Sequence, residues 1–165
     1  MSTPTLEVKG IKHMRNLTGA LLARAIVWAE AQSKEISLRG TPLDPWQLGL
    51  ASAVGVVQPD LIRVREVYRV PVPNDPELRE IAVKTGLFGP TMAGITFGYS
   101  IYMVNGCVTN RLISHECRHV QQYEAAGSIA AFVPVYLQQI VAFGYDEAPL
   151  EIDARLHERD SAEQN

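Results

Sequence analysis

The clearest pattern in the chain is an alternation in which Ile95, Phe97, Tyr99, Ile101 and Met103 take every second place between Thr96, Gly98, Ser100 and Tyr102. A period of two belongs to a half-buried strand, so Gly94 to Val104 is expected to be extended, and Asn105-Gly106 to turn it into a hairpin with Cys107-Val108. A shorter alternation from Leu61 to Val67 predicts another strand before the proline-rich loop Pro71 to Pro76. Elsewhere the spacing is helical. Leu17, Leu21, Leu22, Ala25, Ile26 and Trp28 mark a core helix from Leu17 to Ser33, and Asp44-Pro45 opens another through Trp46, Leu50 and Val54. Glu77 to Lys84 suits a short helix. Thr109 caps a helix from Asn110 to about Glu124, with Gly127 beyond its end. The next spans about Ser128 to Phe143, kinked at Pro134 and stopped by Gly144, and Ala148-Pro149 opens a last one to about Arg159. The polar residues Ser161 to Asn165 are expected to fray.

A length of 165 residues with 47% apolar content suits one core, so a single domain over 1–165 is expected. The net charge of -3, with Lys and Arg scattered, offers no stripe for nucleic acid or for an anionic membrane. Arg24 interrupts the apolar run from Leu17 to Ala31, which argues for an amphipathic helix over a secretory signal. No stretch approaches the roughly 20 apolar residues that cross a bilayer. Cys107 and Cys117 make no disulfide framework, and a cytoplasmic setting is the expectation. The oligomeric state stays open.

His115-Glu116-Cys117-Arg118-His119 carries the chemistry. Four residues advance a helix by about 400°, so the two imidazoles stand one turn apart, roughly 40° around the axis, and can grip one metal ion. Glu116 sits beside them, too close for the usual ligand geometry but able to take a proton from a water at the metal. Cys117 points the other way, into the core. The alternative is an exposed helix that happens to hold two histidines.

Catalytic zinc takes three protein ligands and leaves a position open. Candidates for the third are Glu124, Asp146, Glu147, Glu151, Asp153 and His157. Glu151 fits best: it lies in the first turn of the helix that Pro149 opens, 32 positions past His119 (151 minus 119), room for the intervening helix to return the chain. Glu147 is the main rival.

From about Gly94 to Arg155 the chain resembles the gluzincin group of zinc metallopeptidases, in which an H-E-x-x-H helix stands beside a helix supplying a glutamate. The group often shows E-x-x-A-D there; Glu151-Ile152-Asp153-Ala154-Arg155 matches the glutamate and alanine and departs at Arg155. Arg118 and Gln121 also depart, from an uncharged and an apolar residue respectively. The resemblance implies that His115, His119 and Glu151 hold zinc and that Glu116 is the general base. It implies an α+β zincin-like fold, a small twisted sheet packed on helices, with the active-site helix followed by the glutamate helix. It further implies a peptide or protein substrate lying along the strand from Gly94 to Val104, where Gly94, Gly98 and Ser100 leave room.

A tetrahedral intermediate needs a further donor, and Tyr145, Tyr136 and His157 are candidates, with His157 and Tyr145 preferred. Arg155 is placed to hold Glu147 or Asp153 behind the metal. The expected function is zinc-dependent peptide hydrolysis. The rivals are a zinc site closed by a fourth ligand such as Cys107, without catalysis, and a metal-free partner-binding domain.

Overall fold

Thr18 accepts a hydrogen bond from the Leu21 N–H and starts α1 (Gly19–Arg39). In this computed structural model residues 17–160 are described, and the segment Ser161 to Asn165 expected to fray lies outside them. α1 runs six residues past its expected end at Ser33, because Ile36 is fully buried and Glu35 pairs with Arg39 and with Arg65 of the sheet. After β1 (Thr41–Pro42), Asp44 and Gln47 form a reciprocal capping box on α2 (Pro45–Ala53). A tight helical turn at Pro59–Leu61 shortens the next strand to β2 (Arg63–Val67), and α3 (Pro76–Thr85) follows the proline-rich loop.

The segment Gly94 to Val104 is not one strand. It folds back on itself as β3 (Gly94–Phe97) and β4 (Ser100–Val104), an antiparallel hairpin with Phe97 opposite Ser100. Gly98 makes the reversal, since its φ of +66° at the first loop position suits a two-residue turn that β-branched and bulky residues resist. Asn105-Gly106 does turn, with Cys107 N–H bonded to Val104 C=O, but the chain passes into a helix and Cys107-Val108 pairs with nothing in the sheet.

The sheet order is β1-β2-β4-β3, with β2 and β4 parallel and the other pairs antiparallel. β4 is therefore central and covered on both faces. Ile101 and Met103 enter one core with Leu50, Val54, Ile113, Cys117 and Val120, whereas Tyr102 and Phe97 enter another with Leu21, Ala25, Ile36 and Phe132. That double coverage explains why Tyr102, expected to face outward, is buried. It leaves β3 as the edge next to α4.

α4 (Asn110–Ala126) is capped by the Thr109 hydroxyl and ends at Gly127 in the left-handed region, φ +96°. α5 (Ile129–Phe143) runs unbroken through Pro134, and α6 (Pro149–Leu156) completes an α+β arrangement with six α-helices and four strands among the described residues. α6 stops three residues before its expected end at Arg159. Among the described residues no single helix is long and apolar enough to cross a membrane.

Candidate metal centre

α4 lies between the two cores, and polar side chains on it are buried: Ser114, Glu116, His119 and Gln122. A buried polar group is costly unless it finds a partner, so the partners of these four define the site.

Each histidine uses its Nδ1 away from the centre. His115 Nδ1 meets Glu158 Oε1 at 2.9 Å, and His119 Nδ1 meets Gln122 Oε1 at 2.8 Å. The Gln122 amide cannot be reversed without loss, because its nitrogen donates to Leu150 C=O at 2.9 Å and to Asp153 Oδ2 at 2.8 Å. Its oxygen therefore faces His119, whose Nδ1 carries the proton. Asp153 is itself held by Arg118, at 2.8 Å and 3.2 Å, and the same guanidinium donates to Val54 C=O. Arg118, which departs from the peptidase pattern, thus anchors the carboxylate behind His119. Arg155, expected in that role, donates instead to the Asp146 carbonyl.

Both Nε2 atoms turn towards one carboxylate. Glu151 Oε2 lies 3.3 Å from His115 Nε2, and Oε1 lies 3.2 Å from His119 Nε2. A charge-assisted hydrogen bond would be shorter, about 2.7–2.9 Å. Ligands at about 2.0–2.1 Å around a tetrahedral ion stand roughly 3.3 Å apart, the separation found here between each imidazole and its nearer carboxylate oxygen. One ligand atom from each of His115, His119 and Glu151 lies within 4.8 Å of the others. Among the described residues Glu151 Oε2 is buried without a hydrogen-bond partner, a polar atom that a cation would satisfy. Glu151 Oε1 also accepts from the Tyr136 hydroxyl at 2.7 Å, so Tyr136 orients the carboxylate. The donor set fits a zinc-sized, borderline-soft ion.

Without a cation the three groups share protons. Burial opposes a charge on His119, but the Glu151 carboxylate outweighs it and pushes the imidazole up to about 9. His115 is raised too, burial again being overcome by Glu151 and Glu116. Burial would raise Glu151, yet His119 and His115 hold it well below the usual carboxylate range.

Glu116 stands apart from this cluster. Its Oε2 accepts from the Thr96 hydroxyl of β3 at 2.7 Å. A Cβ at position 94 would meet Glu116 Oε1 at 3.0 Å and its Cδ and Cγ at 3.2 Å, so Gly94 leaves the space the carboxylate occupies. The edge strand and the helix thus fix Glu116 together.

Two openings meet at the site. A mostly apolar, part-open cavity of about 90 Å³ ends at Glu116, His119 and Glu151, and a wider cleft of about 530 Å³ passes His115, Glu116 and Glu158. Both are lined by Met92, Gly94 and Tyr145. Burial and then the Glu151 and Glu116 charges raise the Tyr145 pKa, keeping its hydroxyl protonated. His157 lines neither opening. It caps the end of α6 and turns its Nδ1 to the Asp153 carbonyl at 2.7 Å, so the early helix stop removes it from the centre.

The remaining candidates stand outside the ligand cluster. Glu124 accepts from Val57 N–H, Gln58 N–H and the Tyr99 hydroxyl, while Glu147 is exposed. Asp146 lines the open cleft. Cys107 and Cys117 are free thiols, and Cys107 lines the cleft without joining the ligand cluster.

Sequence reasoning missed Glu158, Gln122 and Thr96. Glu158 arrives through the chain beyond α6, which folds along α4: Arg159 N–H donates to Ser114 Oγ at 2.8 Å and Asn110 donates to Asp160 C=O at 3.0 Å. Arg111 holds Glu158 from the other side. No spacing in the sequence signals it, because Glu158 lies past the helix end at Leu156 and reaches His115 only through that turn of the chain. Gln122 stands three residues after His119, on the neighbouring face of the same helix. Comparison with protein-family models, with curated proteins and with solved structures finds no match.

Proposed function

We propose that the protein is a zinc-dependent peptidase of zincin-like build, with His115, His119 and Glu151 as ligands and Glu116 as general base. The observation that carries this reading is the unpartnered Glu151 Oε2 between two imidazoles whose Nδ1 atoms are already engaged. Bound there, zinc would polarise an amide carbonyl and lower the pKa of a water. Every other part of the reaction falls to the chain. Glu116, held by Thr96 beside rather than within the ligand set, takes the proton of the attacking water and returns it to the leaving amine. Tyr145, protonated at the junction of cleft and cavity, donates to the oxygen on which charge develops. Substrate lies in the open cleft beside β3, whose outer edge has no strand partner among the described residues.

The test joins metal analysis to turnover. Purified protein should hold about one zinc per chain, and the zinc-loaded protein should cleave a mixed peptide library. Glu116→Gln should retain the metal and lose cleavage. Stoichiometric zinc with no cleavage of any peptide would return the site to a non-catalytic role.

A further inference from the structure

The groups that would do the chemistry are shielded from solvent: Glu116 is 4% exposed, His119 6% and Glu151 2%. A scissile carbonyl has to come within bonding distance of them, which asks for movement in whatever covers them. The cover is the loop from Gly86 to Ala93, between α3 and β3. Leu87 and Phe88 line the apolar cavity, Pro90 and Thr91 line the wider cleft, and Met92 lines both. The loop is thus the partition between two openings that both reach Glu116.

Little polar contact ties this partition down. Among the described residues, the backbone hydrogen bonds from Leu87 to Met92 stay within the loop: Gly89 N–H donates to Gly86 C=O at 3.3 Å, and Met92 N–H to Gly89 C=O at 3.1 Å. The first bond to another element comes at Ala93, whose carbonyl accepts from Val104 N–H at 2.8 Å. A glycine stands at each end. Gly86 closes α3 in the left-handed region, φ +83°, and Gly94 begins β3.

The grip of the loop on the rest of the protein is apolar, and Phe88 is its strained point. Its φ is +58°, the one positive value at a non-glycine residue among the described residues. A bulky side chain keeps such a conformation only where the surroundings impose it. Here the Phe88 ring meets Trp28 of α1 edge to face, with centroids 5.8 Å apart, and Trp28 is backed by Phe97 of β3 at 5.4 Å. Opening the loop would lose the ring contact and relieve the backbone strain, two opposed effects of similar size. An element balanced in this way has two arrangements close in free energy.

Resting on the metal-centre reading for what passes through it, we propose that Gly86–Ala93 is a gate. It is closed in this structure, latched by Phe88 against Trp28, and it swings about Gly86 and Gly94 to join cavity and cleft into one trough along β3 that admits a peptide. Phe88 touches no substrate atom in this role. It sets the rate of entry and release, and the chemical step stays with Glu116 and the metal.

The test reads the gate twice, the first time without metal or substrate. In amide hydrogen exchange of the metal-free full chain, Leu87–Ala93 should exchange at least about tenfold faster in Phe88→Ala than in wild type, with α4 equally protected in both. Alanine keeps the unfavourable φ and loses the ring. Phe88→Gly should exchange more slowly than Phe88→Ala, because glycine removes the strain from the closed loop as well. Equal exchange in the three proteins would overturn the latch. The second reading is stopped-flow binding of a tripeptide hydroxamate to the zinc-loaded protein. In wild type the observed rate should level off with concentration at the rate of opening, and in Phe88→Ala that plateau should rise at least about tenfold. A wild-type rate that climbs linearly throughout would overturn the gate, whether or not either variant folds. Acetohydroxamate serves as the metal-only probe. If it binds while the peptide probe shows no plateau, the gate falls and the metal reading stands; if it does not bind, the metal reading falls and the amide exchange decides the gate.

Discussion

Gln122 Oε1 faces His119 Nδ1 at 2.8 Å, and both donors of the same amide are engaged by Leu150 and Asp153. The amide thus ties the second histidine to the helix that supplies Glu151. Gln122→Leu should fold but lose about 10- to 100-fold in zinc affinity, the usual effect of removing the partner of a ligand histidine. Competition with a chelator of known affinity measures it; unchanged affinity would show that His119 needs no such support.

Glu151→Ala should weaken zinc far more than Glu147→Ala, because Glu151 is buried between the imidazoles and Glu147 is exposed. Equilibrium dialysis of the two variants distinguishes them. The reverse order would mean that the third ligand is wrongly assigned.

Glu116→Gln should lower kcat by about 10² or more and keep zinc, since the amide can still accept from Thr96 but cannot take a proton. Gly94→Ala tests the same group from the strand. The added methyl meets the Glu116 carboxylate at 3.0 Å and should lower kcat by about tenfold while metal content stays constant. Loss of metal from either variant would count against a base that stands outside the ligand set.

The pH dependence has a definite sign. In the metal-free protein His119 titrates near 9, above its ordinary 6.5, so its stabilising contribution is complete below about 6.5 and disappears as pH rises through about 9. Glu151, depressed from 4.5, contributes above that value and loses its effect as pH falls through its lower folded-state pKa. Metal needs the bare imidazole, so zinc affinity should rise with pH up to about 9, and binding at pH 7 should release protons. Calorimetry in buffers of different ionisation enthalpy measures that release. Binding without proton release at pH 7 would contradict the carboxylate-linked histidines.

Edge recognition should be short. A peptide N-methylated at successive positions should lose binding with a period of two, but only over the few residues that can lie against Gly94–Phe97. Uniform tolerance of the scan would remove β3 from the binding surface.

Much of the centre was legible because it obeys local rules. His115 and His119 lie one turn apart on a helix whose cap, Thr109, and stop, Gly127, are visible as residue types. Glu151 follows from Pro149 starting α6. The strand at 94–104 misled for a physical reason. Its alternation continues across Gly98, so a period of two cannot mark a two-residue reversal, and the double coverage of β4 makes residues of both parities buried. Nor does spacing reveal the support around the ligands. Glu158 depends on the chain turning along α4 after Leu156, and Arg118 looks like a departure until Asp153 and Val54 appear beside it.

The bond from Arg159 N–H to Ser114 Oγ carries a consequence for the order in which the protein matures. Glu158 lies 43 residues after His115, so during synthesis the first histidine leaves the ribosome long before the carboxylate that orients it. A nascent chain ending at Leu156 would own both imidazoles and Glu151 but lack the carboxylate that meets His115 Nδ1. Under the proposed zinc reading, full-strength metal capture would wait for Glu158, and a zinc ion would act as a seal on the folded site more than as its nucleus.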